Sequence, residues 1–185
     1  MRIGAIIIAI LIFNFASGQT KVKFHSQNYI GVLGGEAEVA FQFQSINGFQ
    51  RKTWFGGIGT GVDYYYQRSV PLFLSFSKYI NERPGSLYIS LDGGTNFLWD
   101  KTTGNIFNGY RNDGDFSPSL YYGAHVGYKI GYKKGSMLMT LGYTHKKFKE
   151  KIISTVPCLM PPCPEYDEKY DYNLNRISFR LGWMF

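Results

Sequence analysis

The sequence predicts an all-β fold: an eight-stranded antiparallel up-and-down transmembrane β-barrel, preceded by a cleaved signal peptide. Three observations carry that expectation. Apolar and polar residues alternate with period two over most of the chain beyond residue 19, where helical periodicity appears nowhere. Aromatics and glycine are abundant together, with 15 Tyr, 15 Phe and 22 Gly in 185 residues. The polar face of the alternation is built largely of Gly and Ser and carries few charges.

Composition narrows the field further. The length fits one domain with room for a core. An aromatic content of 18% excludes a disordered chain, because so many rings cannot stay solvated. A mean hydropathy of −0.18 argues against a bundle of membrane helices.

Residues 1–18 read as a secretory signal peptide. Arg2 supplies the positive start, Ile3 to Phe13 form an apolar run broken by Gly4, and Ala16-Ser17-Gly18 puts small residues before the cut. The run is too short to span a bilayer as a helix. Residues 19–185 then form the barrel domain, and losing Arg2 takes the net charge from +7 to +6.

The strands follow in chain order. A first strand falls within roughly 23–33, with faces the alternation does not assign. In the second, Val39, Phe41 and Phe43 oppose Glu38, Gln42 and Gln44. In 53–66, Trp54, Ile58, Val62, Tyr64 and Tyr66 oppose Gly57, Gly59, Gly61, Asp63 and Tyr65. Val70, Leu72, Leu74 and Phe76 give the fourth its apolar face. In 86–99, Leu87, Ile89, Leu91, Phe97 and Trp99 oppose Tyr88, Ser90, Asp92, Gly94 and Asn96. In 120–132, Leu120 through Tyr132 at even positions oppose Tyr121, Gly123, His125, Gly127, Lys129 and Gly131. In 136–148, Met137, Met139, Leu141 and Tyr143 oppose Ser136, Thr140, Gly142, Thr144 and Lys146. The last strand is the clearest: Ile177, Phe179, Leu181, Trp183 and Phe185 alternate with Arg176, Ser178, Arg180, Gly182 and Met184.

A soluble cup would bury the apolar face and show charges to water, whereas here the polar face is small. Eight strands leave an interior just wide enough for side chains, so a glycine-rich inner face is the steric expectation. The apolar face also carries two aromatic groups around an aliphatic band. Trp54, Tyr132, Trp183 and Phe185 fall near the termini; Tyr64, Tyr66, Trp99, Tyr122 and Tyr143 fall near the other end. Such girdles belong to bilayer-spanning barrels. Even strand number then puts both termini and the short links 81–85 and 133–135 in the periplasm, with long loops 100–118 and 150–172 outside.

The leader, the eight alternating strands and the ending Ile177-Ser178-Phe179-Arg180-Leu181-Gly182-Trp183-Met184-Phe185 resemble small outer-membrane barrels. The OmpA/OmpX type and the porin-like outer membrane beta-barrel families are nearest in kind. The resemblance implies an integral outer-membrane protein of a Gram-negative cell. It also implies that Phe179, Leu181, Trp183 and Phe185 are read by the barrel assembly machinery during biogenesis. It fixes no activity, because such barrels serve as anchors, adhesins, channels and enzymes.

Candidate sites follow from parity. Glu38, Asp63, Asp92, His125, Lys129, Lys146, Arg176 and Arg180 point inward. A polar passage is one reading; a plug of paired charges is preferred, because unpaired buried charge is costly and eight strands leave little lumen. Lys147, Lys149 and Lys151 lie where a strand leaves the membrane, at the level of lipopolysaccharide phosphates. Neither His125 nor His145 has a Ser and a carboxylate at a diagnostic spacing, and no Gly-x-Ser-x-Gly occurs, so catalysis is not expected. Cys158 and Cys163 lack two further ligands for zinc, and a loop disulfide is the better reading in an exported chain. No cofactor, metal or nucleic acid is expected. The tyrosines and acids of 165–172 suit contact with a surface ligand or a larger outer-membrane complex. The expected role is structural or surface-interacting, through loops 100–118 and 150–172. A narrow porin-like channel is the alternative, and a lipid-modifying enzyme stands third.

Overall fold

A computed structural model describes residues 21–36, 38–99, 115–132, 135–155 and 165–185. The leader 1–18, most of 100–118 and the pair Cys158 and Cys163 lie outside these residues. The strands are β1 (Lys23–Gly35), β2 (Ala40–Arg51), β3 (Trp54–Asp63), β4 (Ser69–Tyr79), β5 (Ser86–Leu98), β6 (Asp115–Ser117), β7 (Ser119–Tyr132), β8 (Gly135–Thr155) and β9 (Glu165–Met184). Eight of them close into a ring in the order β8-β7-β5-β4-β3-β2-β1-β9, every pair antiparallel. The seam joins β1 to β9, and there the Ser26 amide donates to the Phe185 carbonyl at 2.9 Å.

Closure explains the regularity. In hydrocarbon no water can satisfy a backbone group, so each strand must pair on both sides. Two irregularities have local causes. The β3–β4 ladder is interrupted between Thr60↔Leu72 and Asp63↔Ser69, opposite Pro71, which has no N–H to donate. Pro118 separates β6 from β7, and the register against β8 slips by one between Ser117↔Lys149 and Tyr121↔Lys146, as in a β-bulge.

The outer surface is apolar. Ile58, Leu74, Leu91, Val126, Leu141 and Ile177 are exposed in the central band. Trp54, Trp183 and Phe185 are exposed toward the termini, joined by Phe24 and Phe49, whose rings meet edge to face at 5.7 Å. Tyr64, Tyr66, Trp99, Tyr122 and Tyr143 are exposed at the other end. So much contiguous apolar surface is untenable in water and suits a bilayer.

Three expectations change. First, the link taken as 150–172 is mostly strand: β8 and β9 pair without a break from Ser136↔Met184 to Thr155↔Glu165. Beyond Lys146 and Arg176, where β7 and β1 stop pairing, this hairpin continues to Thr155 for roughly 30 Å at ~3.3 Å per residue, with β6 alongside Lys149–Lys151. Its sequence past Lys146 carries no apolar alternation. Similarly, the end of 100–118 forms β6. Second, the ambiguous first strand points Gln27, Tyr29 and Leu33 inward and Phe24 and Ile30 outward.

Third, the interior is aromatic, not merely small. Tyr29, Phe55, Phe73, Tyr79, Tyr88 and Tyr121 are buried in one cluster. The inward glycines are the other half of that packing. A Cβ on Gly59 would run into the Phe73 ring and lie 3.1 Å from Ile46 Cγ1; one on Gly182 would lie 2.5 Å from the Tyr29 ring. Glycine on one strand is thus the space that a ring from another strand fills.

That complementarity has a measurable consequence. Gly59→Ala should cost about 1–3 kcal/mol by overpacking against Phe73. Urea unfolding in lipid vesicles measures it, and adding Phe73→Leu should return part of the loss. An unchanged midpoint for Gly59→Ala would refute the packing account.

Candidate functional site

Alternation places one side chain in two inside the barrel, and the closed sheet stacks them in layers along its axis. Toward the termini, beneath Lys129, lies a layer of uncharged side chains. Tyr29 OH donates to Gln27 Oε1 at 2.9 Å, and Gln27 Nε2 donates to Tyr79 OH at 3.2 Å. Tyr79 packs on Tyr88 with ring centroids 5.2 Å apart, and Tyr88 OH lies 2.6 Å from Thr140 Oγ1.

The middle layer is centred on Asp92 of β5. Ser75 Oγ donates to Asp92 Oδ1 at 2.6 Å; Arg180 Nη1 and His125 Nδ1 lie 3.5 and 3.4 Å from Oδ2. Arg180 also donates to Gln44 Oε1, and Gln44 Nε2 donates to Tyr121 OH at 3.1 Å. The guanidinium stands 5.0 Å from the centroid of the Tyr29 ring, which joins this layer to the one below.

The layer toward the hairpin is centred on Asp63 at the end of β3. Arg176 Nη1 pairs with Asp63 Oδ2, and Lys146 Nζ lies 3.8 Å from the same oxygen. Asp63 Oδ1 accepts from the Tyr65 amide at 2.8 Å. Lys146 donates to Ser69 Oγ at 2.7 Å and to the Gln67 carbonyl at 3.1 Å.

The inward charges expected from parity therefore assemble into two networks: Asp63 with Lys146 and Arg176, and Asp92 with His125 and Arg180. All six are buried. Two residues depart from the expectation. Glu38 is exposed, because pairing ends at Leu33↔Ala40 and Glu38 lies past it in the turn between β1 and β2. Lys129 points inward but meets no carboxylate among the described residues; its Nζ lies 4.7 Å from the Tyr79 ring centroid. The tyrosine and phenylalanine layers carry most of the filling, yet sequence alone marked only Tyr65, Tyr88 and Tyr121 as inward.

Ser75 and His125 meet the two different oxygens of the Asp92 carboxylate, the hydroxyl donating to Oδ1 and the imidazole Nδ1 lying 3.4 Å from Oδ2, and all three are buried. On the outside, His145 stacks on Tyr122 at 4.8 Å and its Nδ1 lies 2.9 Å from Asn175 Oδ1, which also accepts from Tyr143 OH at 2.6 Å. Its partners are thus an aromatic ring and an amide. Among the described residues no group of three or more His, Cys, Asp or Glu could hold a metal. Near the rim Lys149 pairs with Asp171 at 3.9 Å, both exposed; the side chain of Lys151 is outside the described set. Phe179, Trp183 and Phe185 are exposed on the lipid face of β9, with Leu181 half-buried between them.

Removing one partner of a buried network strands the others in a low dielectric. Asp63→Asn should cost ~3–5 kcal/mol, because it leaves Arg176 and Lys146 without counter-charge. Lys149→Gln, breaking an exposed pair, should cost no more than ~1 kcal/mol. Equal urea midpoints for the two variants would contradict the layered plug.

No family model matches the chain, and no curated protein matches it. Among solved structures it is similar to the outer membrane protein OprG from Pseudomonas aeruginosa. The two share 11% identity over 89% of this chain and 95% of that one, with a TM-score of 0.58. At that identity the likeness is one of fold: this chain is a closed eight-stranded antiparallel barrel of the outer-membrane kind.

Proposed function

We propose that the protein is a non-enzymatic outer-membrane barrel that works at the cell surface through its β8–β9 hairpin, with both termini in the periplasm. The supporting observation is the contrast between the two halves of the molecule. The barrel lumen is filled by paired charges and stacked rings. The hairpin continues far past the point where the other strands stop. β6, at the end of 100–118, pairs with it through Asp115↔Lys151 to Ser117↔Lys149, so both long connections contribute to one platform. Tyr170 is exposed there, and Tyr172 lies 5.4 Å from Tyr66 at the rim. Tyrosine gives contact area at low entropic cost, which suits recognition of a surface ligand or a larger outer-membrane assembly.

Lipopolysaccharide is a second contact at the same level. Lys147 and Lys149 continue the outward parity of Tyr143 and His145. Because Lys149 already faces Asp171, Lys147 has the stronger unmet charge for a lipid phosphate. The apolar side chains at the end of β9 are offered to the assembly machinery in the same reading.

Two variants test the proposal side by side in intact cells. Replacing Lys151–Lys169 by an Asn-Gly turn should leave an assembled barrel and abolish crosslinks to the surface partner. Lys147→Gln with Lys149→Gln should keep those crosslinks and lower co-purified lipopolysaccharide. Partner crosslinks that survive the trimmed hairpin would refute the first assignment. Unchanged lipopolysaccharide would refute the second.

A further inference from the structure

The two ends of the barrel differ in charge balance. Toward the hairpin, the inward cations face Asp63. At the opposite mouth, beside both chain ends, a cavity of about 510 Å³ is lined by Lys21, Lys23, His25, Lys52 and Lys129, with Glu82 as its carboxylate among the described residues. None of the four lysines reaches ion-pair distance of a carboxylate among those residues. Their positions come from three parts of the chain: the entry into β1, the β2–β3 turn and the lower half of β7.

The cavity has a closed floor. Lys129 is buried over the Tyr79 ring, and Tyr79 OH, Gln27 and Met184 Sδ form the layer beneath it. His25 Nδ1 is shielded from water and has no hydrogen-bond partner. Convergent like charges repel one another, and low-dielectric walls concentrate their field. An anion removes that repulsion. It also offers acceptors to groups that can only donate: ammonium carries three donors and no acceptor.

We propose that this mouth is a blind binding site for phosphate-type oxyanions, whether a free phosphate-bearing solute or the head group of an acidic phospholipid. The lysines supply charge and donors, and His25 lines the wall between them. The filled layer below keeps the anion from entering the lumen. This assignment rests on the mouth alone and is independent of what the hairpin binds.

The test is calorimetric titration of inorganic pyrophosphate into the full mature barrel, in uncharged detergent at low ionic strength, where screening is weak. Saturable binding is expected. Lys23→Gln with Lys52→Gln should weaken it about fivefold or more by removing charge-assisted hydrogen bonds, and Lys23→Arg with Lys52→Arg should retain it. Both lysines are exposed at the rim, and heat-modifiable gel mobility confirms that each variant is folded. Competition by a short-chain phosphatidylglycerol assigns the site to lipid head groups; its absence assigns it to a soluble phosphate compound. No saturable binding by the parent protein would overturn the proposal. So would an unchanged affinity in the glutamine pair, or an equal loss from Lys147→Gln with Lys149→Gln at the far end.

Discussion

A strand that crosses hydrocarbon has to leave no backbone group unpaired, and in this chain that requirement is met by joining the last strand to the first. The β1–β9 ladder from Gln27↔Met184 to Gly35↔Arg176 removes both sheet edges at once. From it follow the alternation of every barrel strand, the apolar outer surface and the small interior. The exceptions support the rule. Pro71 interrupts its own ladder, and Pro118 coincides with the one-residue slip where β6 passes into β7.

Closure at eight strands sets how the inside is filled. Too narrow for a water column, the lumen has to be packed, and it is packed by rings from some strands against glycines of others. Most of the inward charge enters in company: Asp63 and Asp92 each hold two basic residues, and Lys146 and Arg180 also donate to a hydroxyl, carbonyls and an amide. Groups so committed cannot exchange partners with a passing solute without stranding a charge. The proposed contacts therefore lie at the two ends of the molecule, the long hairpin at one and the basic mouth at the other.

Much of this was legible in the residues because period two is unforgiving: a slip by one would turn Asp92 to lipid and Leu91 to the lumen. The inward set of six buried titratable residues follows from that parity alone. Glu38 was misplaced because parity cannot tell where pairing stops, and here β2 begins at Ala40. The hairpin reads as a loop in sequence because residues 150–172 carry no apolar alternation. The pairing of rings with glycines was hidden more deeply. Phe73 and Gly59 meet across the β3–β4 ladder, and only the register between strands brings them together. The basic mouth is similar, because Lys23, Lys52 and Lys129 are far apart in the chain and share only an end of the barrel.

The central claim is that the lumen is a plug, and electrical recording tests it most directly. The purified barrel reconstituted in a planar bilayer should give no discrete conductance steps under steady voltage. Asp92→Asn, which unpairs Arg180 and His125, should produce only transient openings, if any. Stable open-channel currents from the unmodified protein would contradict the account.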